Sequence, residues 1–579
     1  MLQIILTLGI FVVLVIPMGK YMYHIAMAQH TFADPVMNRV DQLIYRICGI
    51  QKDETMSWKK YVLALIVTNA MMAGAGYLVL RIQALPALNP NGIGAMEPSL
   101  SFNTMISFIT NTNLQHYAGE SGLSYLSQML VIIFMMFTSA ATGYAACMAF
   151  CRGMTGASKD MGNFYVDMVR IITRVLLPIS LIMGLFLVWQ GVPQNLSPNA
   201  TVLTLEGKNQ DIAMGPIAAL EIIKHLGTNG GGFLGANSAT PLENPNIITN
   251  LVELISMMLL PGASVITFGL MFHNRKKEKN GAVQAHALTQ RPTWMGGEGR
   301  TIFAAMSILF LVGVLVCYYA EMAGNPALAK LGLDQSMGSM EGKEVRFGVA
   351  QSALFTTTTT SFTTGTVNNM HDTLTPLGGM IPLLHMMLNC VFGGKGVGLM
   401  NMIMYAILAV FLCGLMIGRT PEYLGKKIEG REMKLIVLCI MIHPLLILGF
   451  SALAVSTPAG LAGITNTGFH GLSQVLYEFA SSAANNGSGF EGLADNTYFW
   501  NITTGLAMFF GRYLSIVLQL AIAWSLMSKR HVNETIGTLK TNTIGFSLVM
   551  VAVVYIFAAL TFFPALALGP IAEHLTLWS

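Results

Sequence analysis

The chain has 579 residues, of which 53% are hydrophobic and only 10% are charged, and its formal net charge is +4. Soluble domains carry about 25% charged residues, so a soluble fold of this length would lack the charged side chains needed to cover its surface. The composition therefore predicts a polytopic membrane protein, and the small net charge favours no class of partner.

Ten segments are apolar enough to cross a bilayer, for which about 20 residues suffice. Lys20 follows the first segment rather than preceding it, so we expect a retained span and not a cleaved signal peptide. The seventh segment is too long for one straight helix and is interrupted by glycines within 393–398. In chain order, the predicted spans are 2–19, 61–81, 124–150, 170–190, 247–272, 302–321, 380–417, 434–454, 501–527 and 543–567.

Lysine and arginine are concentrated in five of the segments between these spans. Short loops rich in the two residues remain in the cytoplasm. The charge pattern therefore predicts that the five segments lie inside, that the other connections lie outside, and that both termini are external. The basic segments are 20–60, 151–174, 273–300 with Arg291, 418–434 with Arg419, and the connection that carries Lys529, Arg530 and Lys540.

Four short polar stretches lie between long apolar segments and recur at intervals of about 120 residues. Polar, non-helical backbone at membrane depth is tolerated only where it is buried in protein or lines a watery cavity. We therefore expect four re-entrant loops that enter from the outer side and converge on one pore. They are loop 1 (Thr110–Asn113), loop 2 (Gly227–Gly232), loop 3 (Thr363–Asn368) and loop 4 (Ser482–Gly487).

Short runs that could form half-helices precede most of these loops, at Pro216–Leu226, Phe347–Thr358 and Gly471–Ser481. A helix carries partial negative charge at its C-terminus, and backbone carbonyls from four loops can replace the water shell of a cation, as in a potassium-type selectivity filter. The pattern predicts a cation pore, although any one stretch taken alone could be an ordinary polar outer loop.

Together these features predict an all-α polytopic fold of about ten spans. It contains four units of helix, re-entrant loop and helix, with one extra span at each end. The units are 61–150, 170–272, 302–417 with a broken second helix, and 434–527; residues 1–60 precede them, and 543–579 form the last span and an external tail.

Several longer strings carry a resemblance to a known family. They are Thr110–Gln115, Leu226–Phe233, Ala236–Ser238, Glu243–Pro245, Thr363–Asp372, Gly418–Lys427 and Ser482–Gly487. In these strings, and over nearly its full length, the chain resembles the KdpA family, the potassium-binding, channel-like subunits of the bacterial Kdp pump. This family belongs to the superfamily of potassium transporters that are built from four channel-like repeats.

The resemblance implies a protein of the bacterial inner membrane that binds external K⁺ and passes it through an intramembrane tunnel to a P-type ATPase subunit. Two small subunits would complete the complex, K⁺ is the transported ion, and no cofactor is implied. Carried over residue by residue, the selectivity filter would consist of Thr112, Asn113, Gln115, Thr228, Asn229, Gly230, Thr364, Gly365, Asn486 and Gly487.

The chain departs from the family pattern in two places. Leu114 stands where the family often has tryptophan, which should affect packing behind the filter more than coordination. Asn389 stands where relatives carry an acidic residue, and the nearby Lys395 is not a fixed feature of the family, so the resemblance implies no electrostatic role for this break.

Two basic residues inside apolar segments are candidates for a gate or a fixed pore charge. Arg512 lies within the ninth span, where an arginine usually faces a cavity or a partner; the alternative is a structural pair with a carboxylate such as Glu253. Lys395 could belong to a gating loop beneath the filter or could be a lysine that snorkels from a kink. For His371 and Asp372 we expect a structural role in an outer loop.

The sequence contains neither a phosphate-binding Gly-x-x-x-x-Gly-Lys-Ser/Thr loop nor the Asp-Lys-Thr-Gly string of a phosphorylated P-type pump. We therefore expect no ATP hydrolysis by this chain alone. We also expect no cluster of His, Glu and Asp within the membrane, as a membrane enzyme would need. A free-standing potassium channel or symporter of the same superfamily remains the alternative, and the extra terminal spans and the Gly418–Lys427 string favour the pump subunit.

Overall fold

The computed structural model describes residues 1–280, 295–418, 420–532 and 538–578. Arg291 and Arg419, two of the basic residues counted above, lie outside these ranges. In the described part, 10 helices are long and apolar enough to cross a membrane, as predicted. The spans are Leu2–Ala26, Trp58–Ile82, Tyr125–Thr155, Phe164–Trp189, Ile247–Arg275, Gly297–Lys330, Gly394–Met416, Gly430–Val455, Tyr498–Met527 and Ile544–Trp578.

Many spans begin at residues that satisfy the free N–H groups of a first helical turn. Ser57, Thr497 and Thr543 each accept a hydrogen bond from the backbone three residues later. The span Gly430–Val455 begins with a capping box between Glu429 and Glu432. These caps fix the points at which the chain turns from a loop into the membrane.

Between the two long helices of each unit, the chain forms a shorter helix and a loop. These half-helices are Pro98–Ile109, Ile217–Leu226, Gly348–Ser361 and Phe469–Ala484. The sequence placed the third and fourth half-helices a few residues short. Ser482–Ala484, assigned to loop 4, in fact form the last turn of the fourth half-helix.

The second long helix of the second unit, Ile247–Asn280, is the most enclosed of the spans and packs along the first span, Leu2–Ala26. Small residues allow this approach, because a Cβ on Gly19 would lie 2.5 Å from the Cβ of Ile266. Thr267 also donates a hydrogen bond to the carbonyl of Gly19 at 3.0 Å. The first span is thereby joined to the body that carries the four loops.

The described members of the basic segments meet at one end of the helices. Arg152 pairs with Asp167, and Arg275 donates to the carbonyl of Thr155. Lys426 donates to the carbonyl of Gly153 at 3.2 Å. These contacts place residues of separate basic segments on one common face.

The third unit has the broken second helix that the sequence predicts, but the break lies earlier than expected. Helix Pro376–Leu388 ends before residues 389–396, and Val397–Ile417 resumes the span, so the last two residues of the predicted break are helical. Positive φ angles occur at Asn389, Phe392, Gly393, Lys395 and Gly396. We call residues 389–396 the break.

Several elements were not predicted, among them the first half-helix, Pro98–Ile109, and the short β-hairpin of Glu422–Tyr423 with Lys426–Lys427. Helix Asp34–Cys48 lies in the first basic segment, and Arg174 holds it through Asp34 at 3.2 Å and through Asp41. A β-hairpin, β1 (Ala200–Leu203) and β2 (Asn209–Ile212), precedes the second half-helix, with Ala200 opposite Ile212.

Candidate cation site at the four loops

A residue in the left-handed backbone conformation follows each of the four half-helices. Asn111, Thr228, Thr363 and Asn485 have φ angles of 60°, 50°, 51° and 56°. Asparagine tolerates this conformation, whereas a β-branched threonine rarely adopts it. Such strain persists only where the surrounding structure enforces it, which marks the start of the loops as a point under tight structural control.

The next residue of each loop donates its backbone N–H to a carbonyl five residues earlier, inside the half-helix. Hydrogen bonds of this span close helix C-termini in the Schellman motif. The four loops therefore share one local structure, and these donors occupy equivalent positions. The bonds run from Thr112 to Ser107 (2.9 Å), from Asn229 to Lys224 (2.8 Å), from Thr364 to Thr359 (2.8 Å) and from Asn486 to Ser481 (2.9 Å).

The loops approach one another closely where glycines follow these donors. A Cβ on Gly230 would lie 2.5 Å from the carbonyl oxygen of Thr112 and 2.9 Å from that of Asn486. A Cβ on Gly365 would collide with the Asn486 carbonyl, and one on Gly487 with the Thr112 carbonyl. Backbone carbonyls from loops 1 and 4 thus lie directly against backbone from loops 2, 3 and 4.

Side-chain amides hold the loops to one another. Asn111 donates to the carbonyl of Thr228 at 2.8 Å, and Asn229 donates to the Asn111 side-chain oxygen at 2.9 Å. Asn486 donates to the carbonyl of Thr359 at 2.8 Å. The Asn486 amide is engaged at both ends, because its oxygen also accepts from Ser488, so Asn486 can offer an ion its backbone carbonyl. Asn229 keeps a buried side-chain oxygen without a partner in addition to its backbone carbonyl.

Gln115 lies beside loop 2 and contacts it through both ends of its amide. Its oxygen accepts the N–H of Gly232 at 2.9 Å, and its nitrogen donates to the Gly232 carbonyl at 3.1 Å. Asn113 is buried, and its side-chain oxygen accepts from Asn229 at 3.4 Å. Gln115 and Asn113 therefore position loop 2 against loop 1.

The chemistry of this region is that of neutral oxygen ligands in a site shielded from solvent. Thr112, Thr228, Asn229 and Thr364 are fully buried, and the hydroxyl of Thr364 has no hydrogen-bond partner. The C-terminal ends of the half-helices meet here and add partial negative charge. Carbonyl oxygens in such a setting suit a desolvated monovalent cation.

Two buried basic side chains lie next to the loops. The ammonium of Lys395 donates to the carbonyl of Asn111 at 2.8 Å and to that of Asn485 at 2.5 Å. Arg512 donates to the carbonyl of Ser139 at 3.4 Å, and a Cβ on Gly143 would lie within 2.7 Å of both basic residues. Among the described residues no carboxylate forms an ion pair with either group, so the pairing of Arg512 with Glu253 considered above is not found.

A second polar group follows Gln115 in the chain. His116 contacts Asn501 at 2.7 Å and Glu478 at 3.2 Å, and it lies 3.8 Å from Asp495. Burial alone would lower the pKa of His116, but Asp495 and Glu478 raise it to about 9. The histidine is therefore charged at neutral pH and joins the chain after loop 1 to the fourth half-helix and its following loop.

The sequence led us to expect no cluster of His, Glu and Asp side chains within the membrane, and this expectation was wrong. Behind loop 2, Lys224 pairs with Glu221 at 2.7 Å and lies 3.6 Å from Glu243, while His225 lies 3.5 Å from Glu253, and all five side chains are fully buried. Residues 221, 224 and 225 share one face of a half-helix, a signal visible in the sequence. The carboxylates of Glu243 and Glu253 come from later segments, which no local pattern could bring to this point.

His371 and Asp372 have the structural contacts that the sequence led us to expect. His371 contacts the hydroxyl of Tyr477 at 2.7 Å. Asp372 lies 3.0 Å from His470 and accepts from Gln474 at 3.2 Å. Both residues therefore link the chain after loop 3 to the fourth half-helix.

Comparison with known proteins gives consistent matches over the whole chain. Residues 5–575 match the family model KdpA, described as potassium-transporting ATPase A subunit. A potassium-transporting ATPase potassium-binding subunit of Clostridium acetobutylicum is 57% identical over 576 residues, covering 100% of both chains. One from Geobacillus kaustophilus is 53% identical over 566 residues, covering 98% of this chain and 97% of the relative.

Among solved structures, the potassium transporter TrkH from Vibrio parahaemolyticus superimposes with a TM-score of 0.52 at 15% identity. The match covers 81% of this chain and 85% of that chain. At this identity the likeness shows a shared fold, and it agrees with the four units of helix, half-helix, loop and helix described above.

Proposed function

Because the chain belongs to the KdpA family of potassium-transporting ATPase A subunits, we propose that it is the potassium-binding, channel-like subunit of an ATP-driven potassium importer. The family match and full-length relatives at 57% and 53% identity favour this function over a free-standing channel or symporter. The likeness to TrkH concerns the fold alone and is no argument for a free-standing channel or symporter.

The convergence of backbone carbonyls on the loop glycines is the observation that carries this proposal. Thr112, Asn229, Thr364 and Asn486 would contribute one ring of carbonyls, and Asn113, Gly230, Gly365 and Gly487 the next. Thr228 occupies the position before the first ring, together with Asn111, Thr363 and Asn485. Gln115 supports the filter by holding loop 2 and need not touch the ion.

The two buried basic residues support a lateral exit for potassium. Lys395 and Arg512 would oppose passage of a cation along the pore axis, because unscreened like charges repel strongly at low dielectric. We propose that the ion leaves the filter sideways through an intramembrane tunnel towards the ATPase subunit. The chain itself would then bind potassium without hydrolysing ATP, and small accessory subunits would complete the complex.

The topology of this proposal can be tested with reporter fusions. We expect fusions at Lys277 or Lys426 to read as cytoplasmic, because both lie in basic segments. Fusions at Gln194 or Gly342 should read as external, on the side from which the filter loops enter, with the protein in the inner membrane and both termini outside. An external signal from Lys277 would overturn the orientation of the filter.

Gln115→Ala should weaken apparent potassium affinity about tenfold, because it removes two hydrogen bonds of about 1 kcal/mol each that hold loop 2 in place. Gln115→Arg should have a larger effect, because it adds a cation near the filter. Potassium-dependent uptake in a strain without other importers measures both. Gln210→Ala, in the exposed strand β2, is the matched control; if Gln115→Ala behaves like it, loop 2 does not depend on Gln115.

A further inference from the structure

Lys395 lies at the inner end of the proposed filter, and its surroundings differ from those of the buried Lys224 and Lys343. Its ammonium is held by the neutral carbonyls of Asn111 and Asn485. In contrast, Lys224 and Lys343 are paired with carboxylates, Glu221 at 2.7 Å and Glu321 at 2.6 Å. Lys395 thus has a fully buried amino group whose observed partners are backbone carbonyls, the groups with which a filter holds a desolvated potassium ion.

We propose that the carbonyls of Asn111 and Asn485 form a further, innermost cation position of the filter, and that the ammonium of Lys395 fills it as a tethered substitute for potassium. The inference rests on the proposed function and adds a site to it. Its ligand is a monovalent cation of the size of K⁺, and an ammonium group has the same charge and a similar radius.

The register of the loops supports this position. Asn111 and Asn485 directly precede Thr112 and Asn486, whose carbonyls lie against the glycines of the neighbouring loops. The carbonyls that bind Lys395 are therefore one step further along the same backbone. The equivalent carbonyl of Thr228 already accepts a hydrogen bond from Asn111, so loops 1 and 4 supply the oxygens that receive the ammonium.

The backbone of the break brings the lysine to this point. Lys395 has a φ of 47°, and Gly393 and Gly396 on either side also have positive φ angles, of 58° and 79°. A non-glycine residue in this conformation is strained by about 1–3 kcal/mol and is maintained by its contacts. Lys395 is held by the contacts of its ammonium with the two carbonyls and by the close packing of its Cβ and carbonyl oxygen against Gly143.

Competition between two cations is the functional consequence. While the ammonium occupies the innermost position, a potassium ion there is excluded and an ion at the adjacent ring is repelled. Withdrawal of Lys395 would open the position and let the ion advance towards the tunnel. The competing interpretation is a purely structural cap, in which the ammonium satisfies carbonyls at two helix ends and influences no ion.

The test measures bound thallium, Tl⁺, which resembles K⁺ and scatters anomalously, in the purified complex. In the wild type we expect Tl⁺ in the two proposed rings of carbonyls, the first of which includes Thr112 and Asn486. We expect none between the carbonyls of Asn111 and Asn485. In Lys395→Met, whose unbranched side chain is one atom shorter and carries no charge, one additional Tl⁺ should appear between those two carbonyls. The apparent potassium affinity of the filter should also increase, by about tenfold.

Lys208→Met, at an exposed lysine of the hairpin turn, is the control and should leave site number and affinity unchanged. Equal site number and affinity in wild type and Lys395→Met would show a structural cap and overturn the inference. If Lys395→Met fails to fold, Lys395→Leu, which also removes the charge, takes its place: an additional Tl⁺ between the Asn111 and Asn485 carbonyls supports the inference, and unchanged site number and affinity overturn it. Tl⁺ between those carbonyls in the wild type would overturn it as well. A wild type with no Tl⁺ at any of the loops would refute the proposed function itself.

Discussion

Replacing Gly487 with alanine is expected to abolish high-affinity potassium uptake. The φ of Gly487 is 107°, which an alanine adopts only under strain, and the new Cβ would collide with the carbonyl oxygen of Thr112. Strain of about 1–3 kcal/mol and the displacement of a ligand carbonyl should together lower apparent potassium affinity by about 100-fold or more. Potassium-dependent growth and uptake in a strain without other importers would measure the effect.

The control for this substitution is Gly74→Ala, in the span Trp58–Ile82, where an added Cβ would meet no atom within 4 Å. It should support growth like the wild type. Normal uptake by Gly487→Ala, with both variants present in the membrane at equal amounts, would mean that loop 4 does not line the ion path.

Gly230→Asp should reduce both the selectivity of uptake and the coupling to ATP hydrolysis. Its side chain would project between the carbonyls of Thr112 and Asn486 and add a negative charge to a ring of neutral oxygens. In the assembled complex, we expect potassium to stimulate hydrolysis only at concentrations about 10–100-fold higher than in the wild type, because an ion can drive a partner's cycle only through its differential affinity for two states.

Gly207→Asp provides the matched control, since Gly207 has a φ of 76° in the exposed hairpin turn and an added Cβ would meet no neighbour. The purified chain without its partner should show no ATPase activity. A Gly230→Asp complex with altered uptake but wild-type potassium stimulation of hydrolysis would show that the filter does not feed the pump, and would favour a free-standing transporter.

The sequence predicted the number of spans and the four helix–loop–helix units, because these depend on local composition. Apolar length identifies a span, and a polar stretch between spans indicates a loop at membrane depth. The C-terminal end of the fourth half-helix was placed short because Ser482–Ala484 are small residues beside the polar Asn485 and Asn486, yet they form its last turn. Propensity alone does not decide where such a helix stops.

Tertiary contacts explain what the sequence could not predict. Helix Asp34–Cys48 was read as part of a basic loop, because its buried face depends on Arg174, more than 120 residues away. The group around Lys224 was missed because Glu253 lies on another span, and the ligands of Lys395 come from loops 1 and 4. The family resemblance named residues of the four loops, whereas only the fold shows which of them face one another.

The break occurs in one of the four units, and this has a consequence for the pore as a whole. The second helices of the other units, Tyr125–Thr155, Ile247–Arg275 and Tyr498–Met527, continue through the membrane without such an interruption. In a pore of four identical subunits, rotational symmetry would repeat every side chain four times around the axis. Four ammonium groups could not share one cation position. The plug proposed for Lys395 therefore requires a pore whose repeats are fused in one chain, because only then can a single repeat carry the lysine.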